Sequence, residues 1–590
     1  MTFDAGGTLT LDQAAIILLL VALMVVFGFD RFRIELVALI GLAVGFAIGL
    51  VPASGVFAGF SNPAVVTVAE ILLIIQALAR SRVVERLSGQ VTRLVHGETA
   101  ALAFLCGVSG FLSVFMNNIG ALALILPVAV SLSAHLGLPI RRTLMPVSFA
   151  TLLGGLCSLI GTPANLVVSQ ARADLVGRSF AFFDLAWVGA PVAVLGIAFL
   201  VLWVPRTFAI QQHGPMGEQG IRQRRLVTEL RVPSASPFAG ERASRVEEST
   251  GATVHSVVRD GKHVFGRPGE QVLQEQDVLV IEVTTETWES LIEAGTFELA
   301  HANDRPVSAE KPIDVVVMPQ SIFVGSRIGT LEPLDQLGIA AIGIVPQRPR
   351  IEGRLADMPL GIGDILVLSG PEEAIAEILD EADLLRLSSR SSSPAKEASY
   401  TALAVFTAGV LVAAFGLIPP EIAFGLVVLV LSATGSIRLR EALQGLNWPI
   451  LILLAAMIPL GAAVETTGAA RALAHGLLAV VPGGEPVAVV GCMLLIAVLL
   501  TPFVNNISTA VVLSPIAVEV AHATGLPAEP LLVAVALGAS LDFLTPFGHH
   551  NNTLVMGIAG YRFTDFPRLG FPLLAVTFAV GLVAISLVWL

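Results

Sequence analysis

The chain has 590 residues, of which 55% are hydrophobic and 14% are charged, and its mean hydropathy is +0.82. Soluble globular domains carry about 25% charged residues, so this composition excludes an ordinary soluble protein and predicts one that crosses a membrane many times. The net charge of −12 gives no support to nucleic-acid binding. The three cysteines all lie in apolar segments, where they predict neither a disulfide framework nor a metal centre.

Residues 1–205 are apolar and form a first predicted transmembrane repeat. A helix needs about 20 apolar residues to cross a bilayer, and five segments fit: 12–29, 34–51, 63–79, 143–168 and 184–204. The first is predicted to be a span rather than a removable signal, because no basic region precedes it. Segment 99–134 is interrupted by Asn117 and Asn118 and predicts a re-entrant hairpin, with an ordinary pair of spans as the alternative.

Residues 206–399 have an ordinary composition and predict a soluble insert of two α+β units, 206–300 and 301–399. Alternating apolar residues predict three strands in each unit, at 226–230, 254–264, 276–281, 314–318, 339–345 and 363–368. The closing strands of the two units are 87 positions apart, and a helix is expected after each, at 286–294 and 371–379. The Ser-rich stretch 388–393 predicts a linker back to the membrane.

Residues 400–590 are apolar again and repeat the first layout. Spans are predicted at 400–416, 421–437, 449–465, 531–557 and 569–590. A second hairpin is predicted at 486–522, interrupted by Asn505 and Asn506.

The arginines favour opposite insertion of the two apolar blocks. Cytoplasmic loops are enriched in Lys and Arg, and five crossings plus a hairpin place most of these arginines on one side: Arg31, Arg33, Arg80, Arg82, Arg86, Arg93, Arg141, Arg142, Arg206, Arg438, Arg440, Arg562 and Arg568. The exceptions are Arg172, Arg178 and Arg471. The predicted fold class is therefore a membrane all-α, inverted-repeat transporter of about 5+5 transmembrane helices and two re-entrant hairpins. The arginine pattern places residues 206–399 in the cytosol, and the bacterial inner membrane is the expected location.

The two hairpins carry the same motif at a constant offset of 388 positions. Asn117-Asn118-Ile119 precedes Pro127, and Asn505-Asn506-Ile507 precedes Pro515. Polar groups are costly inside an apolar segment, so their duplication indicates a solute site. An asparagine offers a carbonyl oxygen to a cation and an NH2 group to an oxyanion. The alternative is that these side chains only cap helix ends.

A second interruption follows each hairpin, at Gly161-Thr162-Pro163-Ala164-Asn165 and from Thr545-Pro546 to Asn552-Thr553. Proline removes a backbone donor and frees a carbonyl one turn back. Four side chains would add oxygens for a cation beside the freed carbonyls: Thr162, Asn165, Thr545 and Asn552. A proline kink stabilised by a threonine hydroxyl is the alternative.

These motifs resemble those of the divalent anion–sodium symporter family of the ion-transporter superfamily, whose hairpin tips read Ser-Asn-Thr. The central asparagine is kept here as Asn118 and Asn506, whereas Ile119 and Ile507 replace the threonine that helps to bind a substrate carboxylate. Ser508 and Thr509 can supply a hydroxyl in the second hairpin, but Gly120 and Ala121 cannot in the first. The resemblance implies Na+ coupling, a homodimer and movement of the hairpin-bearing part against a scaffold.

The insert resembles two copies of the C-terminal subdomain of regulator-of-potassium-conductance domains (RCK-C). That resemblance implies dimerisation and, in some proteins, a small-molecule or nucleotide effector. Asp542 is a candidate cation ligand, while His549 and His550 are either proton-sensitive or anion-facing groups or a satisfied polar pair. Glu70 and Glu519 lie in or near apolar segments and count as functional hypotheses by default.

The leading hypothesis is Na+-coupled symport of a small divalent anion, with sulfate favoured and no organic cofactor. Substrate is expected at Asn117, Asn118, Gly120, Asn505, Asn506, Ser508 and Thr509, and Na+ at Asn118, Thr162, Asn165, Asn506, Thr545 and Asn552, with Asp542, His549, His550 and Thr553 as further candidates. Dicarboxylates, arsenite and phosphate are alternative substrates. A gated channel is a rival, although no T-V-G-Y-G filter occurs. No phosphate-binding loop suggests a pump or membrane enzyme.

Overall fold

The computed structural model describes a mostly helical chain with a β-sheet in its middle. It describes residues 9–28, 33–80, 95, 97–207, 225–300, 312–318, 321–346, 353–382, 384–387, 400–444, 446, 448–480, 485–546 and 548–590. The predicted linker 388–393 and four of the arginines used for topology lie outside these residues: Arg31, Arg82, Arg86 and Arg93.

Eight helices are described before the insert: α1 (Leu11–Gly28), α2 (Ile34–Ala47), α3 (Pro63–Arg80), α4 (Glu98–Phe115), α5 (Asn118–His135), α6 (Ile140–Gly154), α7 (Pro163–Val176) and α8 (Ala186–Thr207). Helices α4 and α5 are the two arms of the first predicted hairpin, and they meet at Met116 and Asn117. Each arm has 18 residues, so arm length alone does not distinguish a hairpin from two spans.

The insert contributes strands β1 (Arg225–Arg231), β2 (Thr253–Arg259), β3 (Lys262–His263), β4 (Val278–Thr284), β5 (Glu298–Leu299), β6 (Ile313–Val317), β7 (Ala340–Val345), β8 (Ile365–Ser369) and β9 (Leu384–Arg386). Its helices are α9 (Ala243–Thr250), α10 (Thr285–Glu293), α11 (Glu332–Gln336) and α12 (Glu372–Glu381). The predicted strands and the two helices after the closing strands are confirmed.

The strands of both units join into one antiparallel sheet. Its order is β3-β2-β4-β1-β7-β8-β6-β9, and β1 of the first unit pairs with β7 of the second. The buried Glu229 strengthens this junction, because it accepts hydrogen bonds from Arg354 at 3.1 Å and from the backbone N–H of Leu355 at 2.7 Å. The two units therefore share one continuous sheet rather than forming two separate sheets.

Ten helices or half-helices are described after the insert: α13 (Thr401–Ala414), α14 (Pro420–Ala433), α15 (Leu439–Gln444), α16 (Trp448–Thr466), α17 (Ala469–Val480), α18 (Pro486–Val504), α19 (Asn506–Thr524), α20 (Ala528–Gly538), α21 (His550–Ala559) and α22 (Asp565–Trp589). Helices α18 and α19 are the two arms of the second predicted hairpin. Helix α17 was not expected, because it is amphipathic rather than apolar throughout.

Seven candidate spans among the described residues are long and apolar enough to cross a bilayer: Ala53–Leu78, Glu98–Phe115, Ala186–Arg206, Trp448–Thr466, Pro486–Val504, Asn506–Thr524 and Asp565–Trp589. Six further apolar helices have 10–17 residues. This content is that of a multi-pass membrane protein.

The predicted spans 143–168 and 531–557 are each divided into two helices, as the second interruption of each half predicted, and each break begins a few residues earlier than expected. Helix α6 ends at Gly154 and α7 begins at Pro163, while α20 ends at Gly538 and α21 begins at His550. Pro163 is the first residue of a new helix, where its missing N–H costs nothing. We call residues 155–162 the first break and residues 539–549 the second break.

The three arginines that violated the topology pattern are paired with acidic side chains. Arg172 and Arg178 lie 2.7 and 3.1 Å from the carboxylate of Glu529. Arg471 lies 3.3 Å from Glu519. Their charge is thus partly neutralised, and Glu519 has a structural partner outside the candidate site.

The insert packs directly on the second membrane block through two glycines. A Cβ atom at Gly557 of α21 would lie 2.6 Å from the carbonyl oxygen of Gly363, in the turn before β8. Around this contact, four insert side chains belong to the same buried core as the helices: Val316, Met318, Ile365 and Leu387. The sheet is therefore attached to one of the half-helices that flank the second break.

Close backbone contact also joins hairpin arm α4 to α6. A Cβ atom at Gly154 would overlap the carbonyl oxygen of Gly110. Small residues of this kind allow helices in membranes to approach closely. The contact fixes the end of α6, and hence the start of the first break, against the hairpin.

Replacing Gly154 by alanine is expected to destabilise the protein by roughly 1–3 kcal/mol, because overpacking forces backbones apart. The measurement is the thermal midpoint of the purified protein in detergent. Gly107→Ala is the matched control, because nothing lies within 4 Å of its Cβ position in the same arm. Equal midpoints for Gly154→Ala and the unmodified protein would contradict the contact.

Candidate functional site

The first asparagine of each pair caps the helix that follows it. The side-chain oxygen of Asn117 accepts a hydrogen bond from the N–H of Gly120 at 2.7 Å, and that of Asn505 accepts one from the N–H of Ser508 at 2.9 Å. The two bonds lie 388 positions apart, as the motif does. The capping interpretation therefore holds for Asn117 and Asn505, whose oxygens are engaged by backbone N–H groups.

The second asparagine of each pair reaches a break in the other half of the chain. The side chain of Asn118 lies 3.2 Å from Nε2 of His549, in the second break. The side chain of Asn506 donates a hydrogen bond to Oγ1 of Thr162, in the first break, at 3.2 Å. The contacts are reciprocal, because Thr162 and His549 are the N-cap residues of α7 and α21.

The orientation of the Asn118 amide follows from His549. The Nδ1 atom of His549 accepts a hydrogen bond from the N–H of Asn551, so in the neutral ring Nε2 carries the proton and donates to the oxygen of Asn118. The amide nitrogen then donates to three oxygens: Oγ of Ser113 at 2.8 Å, the carbonyl of Thr151 at 3.1 Å and the carbonyl of Gly161 at 3.2 Å. Three oxygens thus converge beside the buried Asn118.

Both hairpin tips meet at one point of the first break. Asn118 contacts the carbonyl of Gly161, and Asn506 contacts the next residue, Thr162. Four helices begin here: α5 at Asn118, α19 at Asn506, α7 just after Thr162 and α21 just after His549. The structure therefore brings four helix N-termini together, which is the arrangement that favours an anion.

The two breaks are held by the same hydrogen bonds, 387 positions apart. The amide nitrogen of Asn165 donates to the carbonyls of Gly155 and Ser158, at 3.0 and 2.8 Å. The amide nitrogen of Asn552 donates to the carbonyls of Asp542 and Thr545, at 2.9 and 3.1 Å. Each asparagine spans the same number of residues, so both satisfy freed carbonyls of their own break.

The sequence comparison of Thr162 with Thr545 is wrong. Thr545 matches Ser158, because each hydroxyl accepts a hydrogen bond from the backbone N–H three residues on. Thr162 matches His549, since both are N-cap residues. The Thr-Pro dipeptide occurs at both breaks, but at different positions. The structurally equivalent residues are Asn165 and Asn552.

Of the two hydroxyls expected to replace the missing threonine, only that of Ser508 is available. The hydroxyl of Thr509 donates to the carbonyl of Asn505 at 2.9 Å. The hydroxyl of Ser508 is buried and has no hydrogen-bond partner among the described residues. Ile119 and Ile507 are buried in the core, 8% and 5% exposed.

Sequence reasoning missed several residues of the site. Ser113 and Thr501 lie one helical turn before the asparagine pairs, 388 positions apart, and Thr501 contacts the hydroxyl of Thr509 at 3.4 Å. Asn551 donates to the carbonyl of Asn118 at 2.9 Å. The recurrence of Ser113 and Thr501 at the motif's own offset was a signal that could have found them.

Other candidates lie at the edge of the site or away from it. The hydroxyl of Thr553 donates to the carbonyl of Pro546 at 2.7 Å and so closes the second break. His550 is exposed. Glu70 faces Gly425, on α14, and makes no hydrogen bond with the described residues of the tips or breaks.

The donor set suits an alkali cation rather than a transition metal. Amide, hydroxyl and carbonyl oxygens line the tips and breaks, and no three His, Cys, Asp or Glu side chains cluster among the described residues. Several buried acceptors around the tips have no donor in the described part of the chain: Oγ of Ser508, the side-chain oxygen of Asn551 and the carboxylate of Asp542. Unpaired buried acceptors are rare in native proteins and indicate a missing ligand.

Comparisons with known proteins place the chain among membrane transporters. A family model described as "citrate transporter" matches residues 19–538. The chain is 28% identical to the uncharacterized transporter YfbS of Escherichia coli (strain K12), over 97% of this chain and 98% of that protein. It is 26% identical to the uncharacterized transporter sll0640 of Synechocystis sp., over 94% of this chain and 93% of that protein.

A more distant relative carries a functional name. The chain is 27% identical to sodium/sulfate cotransporter 2 of Chlamydomonas reinhardtii, over 53% of this chain and 38% of that protein. The resemblance to the ion-transporter superfamily is thus confirmed. Because the family model covers most of its length, the chain belongs to the citrate transporter family, whose members are membrane transporters rather than enzymes.

Proposed function

We propose that this protein is a secondary active transporter that couples the entry of a small divalent anion, sulfate first, to the entry of Na+. The observation that carries the proposal is the reciprocal contact of Asn118 with His549 and of Asn506 with Thr162. Each hairpin tip contacts the break of the opposite half, and Asn118 also contacts the first break in its own half, so the candidate site is formed by both halves. Such a site is what alternating access requires, since both halves must release it in turn.

The anion would be held by backbone N–H groups and amides rather than by a fixed positive side chain. The N-termini of α5, α19, α7 and α21 converge at the tips, and N-terminal N–H groups attract negative charge. Asn506 and the hydroxyl of Ser508 add adjustable donors. These contacts suit a compact oxyanion with several oxygens, such as sulfate, and the sodium/sulfate cotransporter relatives support the same choice.

Residues of the first break fit a bound Na+. The nitrogen of the Asn118 amide occupies a position to which Ser113 Oγ and the carbonyls of Thr151 and Gly161 point. Rotation of the amide by half a turn would bring a fourth oxygen to these three. Freed carbonyls and amide oxygens at broken helices are the ligands that Na+ takes in transporters. In the second half, Asn506 and Thr501 are the counterparts of Asn118 and Ser113, and Thr545 is the counterpart of Ser158.

A carboxylate substrate is the second candidate, because the matching family model is described as a citrate transporter. The buried Ile119 and Ile507 leave no hydroxyl at the position where the symporter family places one. Arsenite and phosphate share the oxyanion chemistry. These anions therefore serve as competitors in the uptake experiment below.

The remaining parts of the proposal concern the whole molecule. The two membrane blocks insert in opposite orientations as an inverted repeat, in a homodimer within a bacterial inner membrane. Residues 206–300 and 301–399 are two RCK-C-like domains in the cytosol that regulate transport on binding a small molecule or nucleotide. Membrane lipid surrounds the helices.

Uptake of radiolabelled sulfate into proteoliposomes tests the function. An inward Na+ gradient is expected to raise the initial rate at least several-fold over an equal gradient of choline chloride, because Na+ entry drives the anion. Dissipating the gradient with an Na+ ionophore is the control, and excess citrate, succinate, phosphate or arsenite tests the alternatives. Equal uptake with and without the Na+ gradient would rule out the coupling.

Substitution of Asn118 and Asn506, whose side chains contact the break of the opposite half, tests the site. Asn118→Ala and Asn506→Ala are each expected to lower uptake at least about 100-fold, since buried partners in the opposite break are left unpaired. Asn62→Ala is the matched control, because Asn62 caps α3 away from the tips, where its oxygen accepts from the N–H of Ala64 at 2.9 Å. Size-exclusion profiles check folding. Full activity in both site variants would refute the assignment.

A further inference from the structure

Asp542 stands apart from the other buried acidic residues. Glu229, Asp277, Asp364, Glu529 and Asp565 each accept at least one hydrogen bond from an arginine or a backbone N–H. Asp542 is only 2% exposed, yet neither of its carboxylate oxygens has a partner among the described residues. A buried charge without a partner is strongly unfavourable, so it calls for a positive ligand.

Asp542 occupies the position in the second break that Gly155 occupies in the first. Position 542 matches Gly155, because the carbonyls of these two residues accept from Asn552 and Asn165 in the same way. A Cβ atom at Gly155 would overlap the amide of Asn118, so no side chain fits there. At position 542 a carboxylate is present instead, and it lies against Gly548, just before the N-cap of α21.

The two breaks therefore offer different chemistry to a cation. The first is completed by the amide of Asn118, which crosses from a hairpin, and it contains only neutral oxygens. The second contains a buried carboxyl group that belongs to the break itself. A neutral oxygen set competes weakly with water for Na+, whereas a desolvated carboxylate attracts it strongly.

We propose that Asp542 is a direct carboxylate ligand of the cation at the second break, so that the two cation positions are unequal. This inference rests on the proposed function for the identity of the cation as Na+. Because an anionic substrate and an uncompensated Asp542 repel each other, the cation at the second break binds before the anion. The first position, which has no such charge, fills more weakly.

Sodium binding to the purified full-length protein, measured without any transported anion, tests the inference. Thermal midpoints are recorded against NaCl at constant ionic strength, with choline chloride as the replacement salt, and isothermal titration calorimetry with NaCl gives the affinity. Asp542→Asn keeps the shape of the side chain and removes its charge. It is expected to raise the Na+ concentration for half-maximal stabilisation at least about tenfold.

Two further variants make the result decisive. Asp542→Gly restores the residue of the first break and is expected to show the same loss, which guards against a folding defect of one variant. Ser113→Ala alters the first position and is expected to leave the tighter Na+ transition in place. If Na+ stabilises Asp542→Asn and Asp542→Gly as it does the unmodified protein, Asp542 is not a ligand and the inference is overturned.

The Na+-binding measurement and the sulfate-uptake measurement can fail independently of each other. Loss of Na+ binding in the Asp542 variants supports the ligand assignment even if sulfate is not the transported anion. Absence of any Na+ effect on the unmodified protein overturns the inference and also the Na+ coupling. Sulfate uptake without Na+ dependence, together with an intact Na+ transition, overturns the coupling alone.

Discussion

A helix that stops inside an apolar block leaves carbonyl and N–H groups that water cannot reach, and this requirement governs the candidate site. Asn165 and Asn552 satisfy carbonyls within their own breaks, whereas Asn118 and Asn506 cross to the opposite half. Without these amides, the breaks would be too costly to persist. The same groups that make the breaks tolerable also provide the oxygens and N–H groups that a cation and an anion need.

The crossing arrangement joins two sequence-distant blocks into one functional unit. Hairpin arm α19 packs on α7, and arm α5 packs on α21. Each hairpin arm is therefore packed against a helix that flanks the break of the opposite half. The arrangement is symmetric in its framework but not in its charges, since the matching positions 155 and 542 hold glycine and aspartate.

The sequence drew attention to the two asparagine pairs and predicted the sheet-containing insert, because a repeat at constant offset is visible without any knowledge of contacts; the re-entrant hairpins stay a prediction. It misaligned the breaks, since Thr162-Pro163 and Thr545-Pro546 share letters but occupy different structural positions. Asn117 caps a helix whereas Asn118 contacts the opposite half, and this difference depends on tertiary contacts that the sequence does not show. Asn551 could not be singled out from the sequence, because polar residues in helices have many alternative roles, whereas the offset between Ser113 and Thr501 was a usable signal.

The contact between Gly363 and Gly557 was also beyond prediction, because it is made by backbone atoms alone. Its location gives it mechanical significance: Gly557 lies on the half-helix that starts at the second break. At this contact the two backbones touch directly, with no side chain between them that could change its rotamer. Because four insert side chains also pack around this contact, a displacement of the sheet at Gly363 would be transmitted directly to α21 and so to the second break.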